Sequence, residues 1–350
     1  MKKILIVGVG LAGISLTERL LEKNADVTVI ADLDSPSSTK VATGMFNPIV
    51  FRRLNKTWMI DEVLPSMHSF YEAIEAKIKT QIKSEVRLFK RIPSKDYKEF
   101  WNKRAIEFEF QDYINPIKNN LGEVNKAGWV DCPMLCDQYQ NFLRHNGFLL
   151  NEKFEFELLL TDKNGVSYRG EQFHAVVFCE GPYAVNNPYF KWLPFKVAKG
   201  DWIVIETVND LKLDGVINNV VNIIPLGNQQ YKLSSTFEWE TDSWTPNKKA
   251  SKELLDAFEE MFETNYEVLD HQSGLRPSAS DRRPYLGAHP RHPNVHIFNG
   301  LGSKGVILAP YFSKHLAEHI LDNKALMPEV NIHRHIKRFR EFARLSEISS

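Results

Sequence analysis

The stretch Ile4-Leu5-Ile6-Val7-Gly8-Val9-Gly10-Leu11-Ala12-Gly13 decides how this chain is read. The run from Ile4 to Val7 is wholly apolar and ends at a glycine, as expected of a strand buried on both faces of a parallel sheet. Residues 11–23 then carry Leu16, Leu20 and Leu21 at helical spacing, and Asp26-Val27-Thr28-Val29-Ile30 reads as a second strand. The pattern G-x-G-x-x-G therefore falls between a strand and a helix, inside a βαβ unit. In that setting Gly8 permits a tight turn, Gly10 lets the backbone approach a pyrophosphate, and Gly13 allows the helix to pack closely on the strand. The helix N-terminus at Leu11 and Ala12 stabilises the negative charge. A dinucleotide site is expected at Gly8, Gly10, Leu11, Ala12 and Gly13. The acidic residue that binds the adenosine ribose should lie about 20 positions further on. Asp32 is the candidate, with Ala31 as the alternative occupant of the strand-end slot and a plain loop carboxylate as the alternative role for Asp32.

Beyond this unit the doubly wound pattern breaks. Where another crossover helix and strand are due, the chain gives the polar loop Asp34-Ser35-Pro36-Ser37-Ser38-Thr39-Lys40 and then Val41-Ala42-Thr43-Gly44-Met45-Phe46-Asn47-Pro48. A long helical pattern follows over 58–77, then a strand-like run over 85–91. The aromatic, charged and irregular segment 94–126 has the look of a second domain inserted into the first. Helical periodicity returns over 133–146, a hairpin is expected around Asn164-Gly165, and Ala175-Val176-Val177-Phe178-Cys179 is another fully apolar strand suited to the first sheet. Residues 199–236 read as antiparallel strands with turns at Asp214-Gly215 and Gly227-Asn228; helices are expected over 248–263 and 309–321. The basic tail after His333 reads as a solvated helix face.

Composition narrows the function classes. The 350 residues carry 44 Lys+Arg against 44 Asp+Glu, a net charge of zero, which opposes a dedicated nucleic-acid binder. With 43% hydrophobic and 25% charged residues the chain can bury a core of about two domains and is not disordered. Cys132, Cys136 and Cys179 are its only cysteines, so a disulfide framework is excluded, and the C-x3-C pair reads as small buried hydrophobes rather than a metal site. No metal is expected. The N-terminal apolar run is broken by glycines and lacks an A-x-A-like cleavage site, and no apolar stretch reaches the roughly 18 to 20 residues that span a bilayer. A cytoplasmic protein without a membrane span is expected, of unspecified oligomeric state.

Later motifs carry a resemblance to a known family. Thr43-Gly44-Met45-Phe46-Asn47-Pro48 is similar to a G-M-x-x-P segment, Gly128-Trp129-Val130-Asp131-Cys132-Pro133 to G-x-V-x-P, and Cys179-Glu180-Gly181-Pro182-Tyr183-Ala184 to A-x-G-x-W-[AS]. Val197-Ala198-Lys199-Gly200-Asp201 resembles V-x-K-G-Q. The stretch Ser273-Gly274-Leu275-Arg276-Pro277-Ser278-Ala279-Ser280-Asp281-Arg282-Arg283-Pro284-Tyr285-Leu286-Gly287 closely matches G-L-R-P-x-x-x-D-x-x-P-x-I-G, and Asn299-Gly300-Leu301-Gly302-Ser303-Lys304-Gly305-Val306-Ile307 follows it as a glycine-rich loop and helix start. Together these resemble the FAD-dependent amine oxidoreductases of the D-amino-acid oxidase superfamily, with the glycine oxidase-like pattern the nearest.

The resemblance implies an α/β FAD-binding Rossmann-like domain, formed by 1–60, 129–192 and 273–350. It would be interrupted by an α+β, mostly antiparallel substrate domain formed by 61–128 and 193–272. It implies FAD contacts at Thr43, Gly44 and Met45 beside the flavin, at Phe156 near the adenine, at Gly181, and at Gly302, Ser303, Lys304, Gly305, Val306 and Ile307 beneath the isoalloxazine. No cysteine occurs in Gly274 to Asp281, where some relatives attach the flavin, so the FAD is expected to be noncovalent. Arg276 would hold a substrate carboxylate through its planar fork, with an interdomain salt bridge as the alternative role. Where glycine oxidase has a second arginine this chain has Ser303, with Lys304 adjacent as a point cation, so strict glycine or sarcosine specificity is not implied. The implied reaction brings the substrate's α C–H to flavin N5, passes a hydride and leaves an imine that hydrolyses, with no protein nucleophile and no catalytic side chain assigned. The alternative is FAD-dependent demodification of an amino-acid-type substituent on tRNA. An NAD-dependent dehydrogenase is opposed by the missing third unit of the doubly wound pattern, and a non-catalytic nucleotide-binding module is the bland reading.

Overall fold

A computed structural model describes residues 1–239 and 241–348. The βαβ unit forms as its sequence dictates: strand Lys3–Val7, helix Leu11–Glu22 and strand Asp26–Ala31. The two strands pair in parallel, and both bury apolar side chains to exclude water from the sheet. The full sheet has six strands in the order Tyr285–His289, His292–Asn299, Ala175–Phe178, Lys3–Val7, Asp26–Ala31, Leu149–Asn151. All neighbours are parallel except the hairpin formed by Tyr285–His289 and His292–Asn299. The apolar run at 175 rejoins this sheet, with Ile4 opposite Ala175 and Val7 opposite Phe178. From Lys3–Val7 the chain winds outward to one side and then returns to the other. The winding therefore reverses between Lys3–Val7 and Ala175–Phe178, and the crevice at their carboxyl ends is the switch point where ligands bind in such sheets.

A second sheet, of nine strands, is mostly antiparallel. Its order runs Glu238–Trp239, Phe195–Thr207, Gln230–Ser234, Asn222–Gly227, Val216–Asn218, Lys83–Arg91, Leu121–Val130, Met45–Phe46, and Tyr266–Ala279 lies along Phe195–Thr207 as well. One face is sealed by helix Lys248–Glu259, which packs Leu254, Ala257 and Phe258 on Ile203, Ile205, Ile223 and Leu233. By the two-residue alternation of a strand, Gly200 and Trp202 lie on the opposite face. Arg276 shares that face, paired opposite Ala198. Strands Leu121–Val130 and Tyr266–Ala279 run unbroken through the junctions expected at 128/129 and 272/273.

The irregular segment expected over 94–126 is more ordered than its composition suggests. It contains helix Lys95–Ala105, capped by the Ser94 hydroxyl accepting from the Tyr97 amide, and most of strand Leu121–Val130. Trp101 anchors this helix in the core, its indole N–H donating to the Asn115 carbonyl at 2.8 Å. The last long helix starts earlier than its apolar period indicated, at Gly305, and carries Pro310 inside it to Asp322. The basic tail is a helix, Ile336–Ile348. Among the described residues no helix is long and apolar enough to cross a membrane.

Candidate active site

A cavity of about 620 Å³ is lined from both sheets. Its dinucleotide end is made of backbone. Gly8 turns with φ of +103°, and a Cβ there would stand 2.5 Å from the Cys179 carbonyl oxygen, so only glycine lets the ends of the two central strands close on each other. Gly10, Leu11 and Ala12 form the wall where helix Leu11–Glu22 begins without a side-chain cap of its own. Gly305 and Val306 bring the start of a second helix to the same cavity, with Gly302 and Ser303 just before it. Two helix N-termini thus direct amide N–H groups and positive dipole ends into one space, an arrangement that stabilises phosphate or any other developing negative charge.

Around this frame lie Asp32 at the end of its strand, Thr43, Gly44 and Met45 on the segment that replaces the third Rossmann unit, Phe156, and Gly181. The exposed Asp32 carboxylate accepts from the Ser35 hydroxyl at 2.6 Å and the Asp34 amide at 3.2 Å, and the Ser35 bond holds it below the usual carboxylate range. Phe156 stacks on Phe178 and meets Phe154 edge-on, building an aromatic pocket. The glycine cradle, the helix ends and this aromatic recess fit a diphosphate carrying a planar base.

The other end is built from side chains of the nine-stranded sheet. The Arg276 guanidinium lies flat over Gly200, where a Cβ would come within 1.8 Å of Nη2. It donates to the Lys199 carbonyl at 3.1 Å, the Ser235 hydroxyl at 2.8 Å and the Thr236 carbonyl at 3.1 Å, and it stacks on Phe237 at 4.5 Å. Burial pushes it down to about 10, with Asp201 opposing, so it remains a cation at neutral pH. Among the described residues no carboxylate pairs with Arg276, whereas the neighbouring Asp281 is ion-paired to Arg334 at 2.8 Å. The arginine is thus oriented by neutral acceptors and keeps its charge for whatever enters the cavity.

Not every expected residue reaches the cavity. Gly13 packs beneath it, where a Cβ would meet the Gly8 carbonyl oxygen at 2.0 Å, and Ile307 is buried in the core. Lys304 stands behind the wall: its ammonium donates to the Asn47 carbonyl at 3.4 Å, and burial pushes it down to about 8. Conversely, several lining residues escaped the sequence reading. Thr39 accepts from the Leu11 amide at 3.0 Å, Trp202 donates from its indole to the Val41 carbonyl at 2.7 Å, and Ser38 donates to the Leu275 carbonyl at 2.5 Å. The serines and threonine of the 34–40 segment read only as part of a polar loop, and nothing in their spacing marks them as clasps.

The family model for FAD-dependent oxidoreductases matches residues 3–319. The chain belongs to this family, that of D-amino-acid oxidase. Its fold is similar to glycine oxidase from Geobacillus kaustophilus (TM-score 0.72, 18% identity, covering 93% of this chain and 96% of that one). It is also similar to iminodiacetate oxidase from Chelativorans sp. BNC1 (0.72, 17%, 92% and 96%) and to L-proline dehydrogenase from P. horikoshii (0.72, 14%, 93% and 95%). The chain is therefore an FAD-dependent oxidoreductase of the amino-acid oxidase and dehydrogenase type, with a Rossmann-like cofactor fold and a substrate domain.

Proposed function

We propose that this oxidoreductase oxidises the C–N bond of a small amino acid or secondary amine bearing a carboxylate, giving an imine that hydrolyses. The observation that carries the reading is Arg276: a cation lining the cavity, fixed by three neutral acceptors and left without a carboxylate partner among the described residues. A planar guanidinium so held binds a carboxylate in one orientation and thereby fixes which face of the α-carbon is presented. Noncovalent FAD supplies the hydride acceptor at N5. The residues of the dinucleotide end would hold the cofactor: Gly8 to Ala12 at the diphosphate, Asp32 at the adenosine ribose, Phe156 at the adenine, and Thr43 to Met45 with Gly302, Ser303, Gly305 and Val306 at the flavin. Amides at the start of helix Gly305–Asp322 are placed where they would stabilise negative charge on a bound, reduced cofactor. Lys304, bonded to the Asn47 carbonyl behind the loop, holds that loop in place rather than contacting substrate. The segments 1–60, 129–192 and 273–350 supply most of the cofactor domain and 61–128 with 193–272 most of the substrate domain, with strands Leu121–Val130 and Tyr266–Ala279 continuing from one into the other.

Anaerobic mixing of the yellow protein with a panel of amino acids and N-methyl amino acids tests this. Bleaching of the flavin band by at least one carboxylate-bearing amine is expected, and readmitted air separates oxidase from dehydrogenase. If only amines without a carboxylate bleach the flavin, the role of Arg276 is wrong.

A further inference from the structure

Glu180 has no part in the reading above, yet it occupies the switch point of the parallel sheet. It follows strand Ala175–Phe178 and faces the crevice whose other lip is Gly8; a Cβ on Gly8 would stand 3.5 Å from the Glu180 Cα. Glu180 is among the residues that line the cavity. One carboxyl oxygen accepts from the Asn187 side-chain amide at 2.6 Å, and Asn187 is itself locked by accepting from the Tyr189 amide at 2.8 Å. The second oxygen makes no hydrogen bond to the described residues, although the carboxyl is hemmed in by protein. A carboxylate with one oxygen unsatisfied, lining a cavity that must hold a doubly charged diphosphate, is electrostatically unfavourable, whereas a carboxylic acid there is a donor.

We propose that Glu180 is a proton-dependent cofactor-binding residue: its acid form donates its O–H to an anionic oxygen of the FAD diphosphate, so that FAD binding is coupled to the protonation of Glu180. The proton stays on the carboxyl group. When the carboxyl is ionised the complex forms only by taking up a proton from solvent. Burial raises Glu180 to about 7, offset in part by the Asn187 amide, so the acid form is well populated at neutral pH. The ionisable groups around it do not account for this. The adjoining Cys179 thiol is buried and held far above its ordinary value, Asp32, Lys40, Lys153 and Arg276 line the cavity without contributing to the shift, and Lys304 lies behind the opposite wall.

The inference rests on FAD as the cofactor and not on which amine is oxidised, so its test needs no turnover. FAD is titrated into the full-length protein freed of cofactor, following flavin fluorescence from pH 6 to 9. Calorimetry in two buffers of different ionisation enthalpy counts the protons exchanged. The wild type should bind more weakly as pH rises above about 7, approaching tenfold per pH unit for a single linked proton, with net proton uptake. Glu180→Gln, which keeps both the Asn187 contact and a donor, should bind within roughly threefold of wild type at pH 6 and lose most of the pH dependence. Three results overturn the proposal. One is a Gln variant that binds FAD weakly at every pH, which makes Glu180 an ionised acceptor for a ribose hydroxyl. Another is a Gln variant with the wild-type pH slope, which assigns the slope elsewhere, Lys304 first. The third is absence of proton uptake by the wild type.

Discussion

The two ends of the cavity are made by different means. At the dinucleotide end the parallel sheet offers backbone: a glycine turn against a neighbouring strand, two helix starts, and few side chains that a conservative change would spoil. At the other end the antiparallel sheet offers side chains: Arg276 and Trp202 from strands far apart in sequence, brought together by pairing register, and Ser235 just past the end of Gln230–Ser234. Backbone sites fail when something is added to them, and side-chain sites fail when something is removed.

That contrast can be broken in order of effect. Gly8→Ala adds one methyl group at φ +103° and 2.5 Å from the Cys179 carbonyl, and should cost roughly 3 kcal/mol or more of stability. The product should be colourless or barely folded, as read by absorbance and thermal melting. A yellow protein of near-wild-type Tm would show that the two central strands can part to admit a side chain. Arg276→Ala removes a charge instead, and should leave FAD bound. Loss of the guanidinium from a carboxylate should cost about 2–4 kcal/mol, or roughly 30- to 700-fold in kcat/KM. With wild type, kcat/KM for a carboxylate substrate should fall as pH rises through about 10, because burial has lowered the arginine to that value and its neutral form binds no anion. The Ala variant should lack this limb. The smallest effect is expected for Trp202→Phe, which keeps the ring and deletes the bond to Val41. About 1 kcal/mol of stability should be lost, measured by denaturant unfolding, with little change at the flavin.

Legibility in the sequence follows the same division. Gly8, Gly10 and Gly13 are readable because a local backbone demand leaves a local trace at fixed spacing, and the strands on either side of them show as unbroken apolar runs. Arg276 was legible only through the resemblance of its surrounding motif. Its orientation depends on Gly200, Ser235 and Thr236, and no periodicity links those positions to residue 276. Nothing in the sequence marks Glu180 or Thr39 as site residues, since one stands inside a turn motif after an apolar strand and the other in a polar loop, and only the sheet order brings both to the cavity. The helix Lys95–Ala105 was missed because its exposed face is densely charged and Trp101, rather than an apolar stripe, holds it down.

The 34–44 loop, which stands where a third Rossmann unit would be, has one more consequence. It is tied to the first helix through Thr39, to the antiparallel sheet through Val41 and Ser38, and to the turn after Ala175–Phe178 through the bond from the Tyr183 hydroxyl to the Pro36 carbonyl at 2.8 Å. Met45 and Phe46 then continue it as the edge strand of the nine-stranded sheet. A single stretch of chain is therefore tied to both sheets, and neither can open without releasing it. Cofactor held against this stretch, at a concentration 100-fold above its Kd, would contribute about 2.7 kcal/mol to a folded state that both sheets share. The holoprotein should accordingly melt as one cooperative unit in which loss of flavin and loss of the antiparallel sheet are the same event.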